Sequence, residues 1–78
     1  MANETLRKMF LDLVETQIES NHPAVVRETL ERLVQSGYTR DESIRLIGAA
    51  LVDELHTVLS TQQAYDEERY AGALAKIE

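Results

Sequence analysis

A chain of 78 residues, 44% hydrophobic and 28% charged, has the composition of one small folded domain, 1–78, and not of a disordered polypeptide. Eight basic residues against fourteen acidic ones give a net charge of −6, the wrong field for the phosphate-dominated part of nucleic-acid affinity. The absence of cysteine excludes disulfides, thiolate metal sites and thiol nucleophiles, and it fits a reducing cytoplasm.

The opening Met1-Ala2-Asn3-Glu4 is polar and acidic, so no secretory signal is expected there. No apolar run approaches membrane-spanning length. Four helical segments follow, with no strand alternation to compete.

The first predicted helix runs from about Asn3, its expected N-cap, to Ser20. At 100° per residue, Leu6, Met9, Phe10, Leu13, Val14 and Ile18 share one broad face, with Leu11 on its margin. Ser20-Asn21-His22-Pro23 breaks the pattern. Pro23 fits the first position of a second helix, since its missing N–H would be unpaired there anyway. That helix extends to Ser36, with Val26, Leu30, Leu33 and Val34 as a narrow apolar stripe and Val25 off it.

Gly37 ends the second helix, and Thr39-Arg40-Asp41-Glu42 reads as a capping box. The tight corner between them predicts a hairpin of helices two and three. The third helix runs from Arg40 to about Ser60. Ile44, Ile47, Leu51, Leu55 and Val58 form its seam, widened by Gly48, Val52 and Leu59. A seam of roughly 140° touches more than one neighbour, which makes this the central helix. Gly48 is expected to admit a close helix approach. After a polar connection, Asp66 caps a last helix from Glu67 to Ile77. There Tyr65 and Tyr70 form a staple, and Tyr70, Leu74 and Ile77 point inward.

Among polar residues, Gln17 breaks the pattern, lying between Leu6 and Phe10 on the apolar face. A buried amide left unpaired costs about 1–3 kcal/mol, so it needs a partner. The expected partners are backbone groups at the Asn21-to-Ala24 helix start. The alternatives are an amide lining a pocket, or a helix that frays before Gln17. Asp53 and His56 stand three apart on the third helix, a degenerate half of the carboxylate–histidine set used by dimetal bundles. A solvated histidine beside an acid explains them as well. Arg27, Arg32, Arg40 and Arg45, each near acids, read as a salt-bridged surface.

No Gly-rich phosphate loop or nucleophile constellation appears, and no cofactor or catalytic residue is implied. A helix-turn-helix reading of the Pro23–Ser60 pair fails because Asp41 and Glu42 would face phosphates. Leu46, Val25 and Leu11 lie off their main stripes. Meeting on one surface, they would form an interaction patch. So small a domain gains core cheaply by forming a dimer.

The stretch Leu33-Val34-Gln35-Ser36-Gly37-Tyr38-Thr39-Arg40-Asp41-Glu42-Ser43-Ile44 looks like the first loop of ubiquitin-associated domains, but the third helix is far too long for that fold. A wider match spans nearly the whole chain. Val14-Glu15-Thr16-Gln17-Ile18, Pro23 to Leu33, Gly37-Tyr38-Thr39-Arg40-Asp41-Glu42 and Tyr65-Asp66-Glu67-Glu68-Arg69-Tyr70 resemble a family of short bacterial helical proteins of unknown function. That resemblance implies an all-helical fold and no activity. The expectation is an all-α, compact four-helix bundle-like domain with a long central third helix. Its expected role is that of a non-enzymatic cytoplasmic protein that binds a protein partner or itself, with no nucleic acid or membrane as partner. The alternative is a metal- or small-ligand-binding bundle using Gln17, Asp53 and His56.

Overall fold

Apolar residues recurring every three or four positions give four helices in the computed structural model, which describes residues 2–77, with side chains from position 4 to 77. They are α1 (Ala2–Ser20), α2 (Ala24–Gln35), α3 (Arg40–Thr61) and α4 (Glu67–Ala75), and no strand occurs among the described residues. The expected all-α fold is present. Asn3, the anticipated cap of α1, lies within the helix, which already begins at Ala2, and its side chain is outside the described ones.

Each helix end follows from local chemistry. α1 and α2 close with the same paired backbone bonds. The His22 N–H reaches the Gln17 carbonyl (3.1 Å) and the Asn21 N–H the Ile18 carbonyl (3.2 Å). Likewise the Tyr38 N–H reaches Leu33 (3.1 Å) and the Gly37 N–H reaches Val34 (3.1 Å). This six-to-one and five-to-two pattern needs a left-handed residue at its turn. Gly37 supplies it at φ 109° and Asn21 at φ 54°. Pro23 occupies the extended cap of α2, one place earlier than the sequence suggests.

The capping box at the α2–α3 corner is complete. Thr39 Oγ1 accepts from the Glu42 N–H (3.1 Å), and the Glu42 carboxylate accepts from the Thr39 N–H (2.8 Å). At α4, Asp66 accepts from the N–H groups of Glu68 (2.9 Å) and Arg69 (3.2 Å). The Tyr65 and Tyr70 rings meet with centroids 6.2 Å apart, as a staple there requires.

α2 and α3 each pack against all three other helices, while α1 and α4 flank them without packing on each other. The centre is therefore the α2–α3 hairpin, and α3 shares the role expected of it alone. The ion pair from Glu15 to Arg40 and the contact of Leu11 with Gly48 show that α1 runs antiparallel to α3. The core draws Val14 and Ile18 from α1, Val26 and Leu33 from α2, Ile44, Ile47 and Leu51 from α3, and Tyr70 and Leu74 from α4. Two hydroxyls buried with them are satisfied within their own helices. Thr29 donates to the Val25 carbonyl (2.7 Å) and Ser43 to the Thr39 carbonyl (2.8 Å).

Candidate interaction surface

Gln17 finds a partner other than the expected one. Its side-chain oxygen accepts from the Tyr70 hydroxyl at 3.0 Å, so α4 supplies the bond. Its backbone carbonyl, not its amide side chain, serves the turn toward Pro23. Burial pushes the Tyr70 hydroxyl well above the usual phenol range, which keeps it a proton donor. Nothing in the sequence alone could pair positions 53 residues apart on helices that otherwise do not pack on each other.

Asp53 and His56 are both exposed on α3. Asp53 borders a groove with Leu46 and Lys76, away from the Gln17–Tyr70 bond. Among the described residues no three His, Asp or Glu side chains converge on a point that could hold a metal. Gln17, Asp53 and His56 do not form one site.

Leu46, Val25 and Leu11 do not form one surface either. All three are half-buried against the core, and they border three different grooves. The reason is that α4 covers the outer sides of both α2 and α3. Leu46 therefore sits beside Ala73 and Ile77, and Val25 beside Ala71. Leu11 packs on Gly48.

The salt-bridged surface expected of the arginines also takes another form. Neighbours in sequence point about 100° apart on a helix, so Arg27–Glu28, Arg32–Glu31 and Arg40–Asp41 cannot pair locally. Two arginines of α2 instead serve the ends of other helices. Arg27 donates to the Ile18 carbonyl (2.6 Å), and Arg32 donates to the carbonyls of Leu74 (2.9 Å) and Ile77 (2.8 Å). Cations favour that end of a helix dipole, where the last carbonyls lack partners. Arg40 crosses to Glu15 with two hydrogen bonds of 2.8 and 2.7 Å, and it lowers the Glu15 carboxyl below its usual range.

The strongest ionic feature was not anticipated. Glu54, 3% exposed, accepts from Arg69 Nε (2.7 Å), Arg69 Nη2 (2.6 Å) and the Asp66 N–H (3.0 Å). The bonds from Arg69 hold its carboxyl below the ordinary range. Arg69 also donates to the Gln63 side chain (3.1 Å) and the Ala64 carbonyl (3.2 Å). This node fixes the α3–α4 connection. Every partner of Glu54 belongs to that connection or to α4, so its chemistry is turned inward and structural.

Part of what remains outward is apolar. Leu6, Met9 and Leu13 were expected in the core, yet they are 52%, 61% and 42% exposed along one side of α1. The apolar arc of α1 is wider than α2 and α3 together can cover, and α4 lies on the far side. Val52 and Leu59, expected to widen the α3 seam, are 39% and 80% exposed. A groove of about 400 Å³ runs between α1 and α3, with Leu6, Phe10 and Leu11 on one wall and Gly48, Ala49 and Val52 on the other. A second groove of about 410 Å³ continues past Leu6 and Phe10 to Met9 and Leu13. Together they make an open apolar strip at one side of the bundle. No described helix is long and apolar enough to cross a membrane. No protein-family model matches the chain, and neither a curated protein nor a solved structure is detectably similar to it.

Proposed function

We propose that this chain is a small non-enzymatic, cytoplasmic interaction module, and that it binds another protein, or a second copy of itself, through α1. The observation that carries this reading is the row Leu6, Met9 and Leu13, exposed in register on one helix face. Single exposed apolar residues are ordinary, but a contiguous row flanked by apolar grooves marks a binding surface. The row also lies at helical spacing, the pattern by which amphipathic helices and grooves recognise each other. The patch differs from the one expected at Leu46, Val25 and Leu11. The expectation of a partner persists, but its location moves to α1. The resemblance to short bacterial helical proteins adds no activity to this reading.

The test is photo-crosslinking in cells, with benzoylphenylalanine placed at Met9 and, as a control, at Gln35 on the exposed end of α2. The expected result is a discrete covalent adduct from position 9 and none from position 35. Sedimentation of the purified chain at two concentrations then tells a second copy from another protein. A chain that stays monomeric and gives no adduct at position 9 overturns the proposal.

A further inference from the structure

We infer that the groove between α1 and α3 receives an acidic amphipathic helix of a partner protein; this inference rests on the interaction reading above and specifies its partner. Three observations converge on it. The first is charge. Among the described residues the only charged ones lining this groove are Arg7 and Arg45, one on each wall, in a chain whose net charge is −6. Among the described residues neither guanidinium makes a side-chain hydrogen bond or an ion pair, whereas Arg27, Arg32, Arg40 and Arg69 are all engaged. Arg45 stands one turn from Glu42, close enough to be felt by that carboxylate but not bonded to it. On its other side Arg45 borders a groove with Asp12, Glu15 and Asp41, but neither arginine is bonded to a carboxylate, and an apolar floor between the two is complementary to an apolar stripe flanked by carboxylates.

The second observation is Gly48. A glycine inside a helix costs about 1 kcal/mol relative to alanine. Close approach of α1 does not require it, because a Cβ there would meet Leu11 Cδ2 at 3.6 Å, an ordinary contact. Gly48 is buried at the base of the groove beside Leu11, where an alanine methyl would also fit. Its missing methyl keeps the groove floor deeper than alanine would.

The third is shape. Arg45, Gly48, Ala49 and Val52 follow the i, i+3, i+4, i+7 spacing of one helix face. Two turns of helix are about 10 Å long, and two turns of an incoming helix fit beside them. The groove opens onto the Leu6–Met9–Leu13 row instead of closing around its contents, as a small-molecule pocket would. A second copy fits this groove poorly. A two-fold contact would bring a second Arg7–Arg45 pair to the same face with no carboxylate of the groove lining to offset it.

The experiment uses the whole chain and two synthetic helical peptides of about four turns. Both carry leucines at i, i+3/i+4 and i+7, one flanked by glutamates and one by lysines. Fluorescence anisotropy and amide NMR shifts are read at low salt. The glutamate peptide is expected to bind about tenfold or more tighter than the lysine peptide, a gap that narrows as salt screens the charges. Its shifts should centre on Gly48, Ala49 and Val52. The R7E/R45E double variant should reverse the preference. Gly48→Ala should weaken binding several-fold while leaving the melting temperature equal or higher, which separates a binding loss from a folding loss. Equal affinity for the two peptides, shifts centred elsewhere, or a Gly48→Ala variant that binds normally would each overturn the inference. If the peptides fail while Met9 still yields an adduct, the acidic-helix partner is wrong and the interaction reading stands. If both fail, both are wrong.

Discussion

The Tyr70 hydroxyl on α4 donates to the Gln17 side chain on α1 at 3.0 Å, joining two helices that otherwise do not pack on each other. Tyr70 is fully buried where it makes this bond, on a helix that packs on both α2 and α3, so it ties the flanks of the bundle together.

The two partners should behave as a coupled pair. Gln17→Leu leaves the buried Tyr70 hydroxyl without an acceptor and should cost about 1–3 kcal/mol. Tyr70→Phe removes the donor but leaves the half-buried Gln17 amide able to reach water, and should cost about 1 kcal/mol. The double variant leaves no orphan and should be more stable than Gln17→Leu alone. Urea unfolding of all four chains closes the cycle. Additive losses would show that the bond contributes nothing.

The same bond sets an alkaline limit. Burial raises the Tyr70 hydroxyl above its unfolded value, so its contribution is complete below that value and is lost as pH climbs beyond it. Stability should decline above about pH 10, the ordinary phenol range. Tyr70→Phe should flatten that part of the decline, as measured by melting temperature against pH.

Glu54 and Arg69 set the acid limit. The Glu54 carboxyl is held below its unfolded value of 4.5 by the Arg69 bonds, so its contribution is whole above that value and fades as pH falls through the lower, folded one. Glu15 and Glu42 are lowered as well, by Arg40 and by the Thr39 N–H, and they add to the same acid slope. Glu54→Gln should reduce the melting temperature at pH 7 and make it fall less steeply between pH 5 and 3. Arg69→Lys should weaken the node, because an ammonium cannot reproduce the two-pronged grip. An unchanged acid slope in Glu54→Gln would remove the node from the account.

Two leucines of one helix should respond in opposite ways. Leu51 is buried in the core, and Leu51→Ala should cost about 2–5 kcal/mol. Leu59 is among the most exposed apolar side chains, and Leu59→Ala should change stability by less than about 0.5 kcal/mol. Chemical denaturation of both variants decides this, and equal losses would contradict the packing described.

Arg32 should hold down the end of α4. Arg32→Ala removes both donors to the Leu74 and Ile77 carbonyls. Amide exchange at Lys76 and Ile77 should accelerate while the α2 core amides stay protected. The expected stability loss is about 1 kcal/mol, the scale of a cation at a helix C-terminus. Unchanged exchange there would mean that α4 closes without this clasp.

The local order of the chain is legible in neighbouring residues alone. Thr39 with Glu42, Asp66, Gly37 and the Tyr65–Tyr70 pair act on backbone groups within a few residues, so their chemistry is written in adjacent positions. The 3.6-residue period likewise placed Ile44, Ile47 and Leu51 on a buried face. Which sides of the apolar arcs are covered was decided only when the helices came together. A wheel cannot say that α1 has two neighbours and α2 has three, so it buried Leu6, Met9 and Leu13 and exposed Leu46 and Val25. The long-range polar pairs followed the same rule. Gln17 with Tyr70, Glu54 with Arg69 and Arg32 with the end of α4 depend on where two helices cross, a quantity that no single stretch of chain encodes.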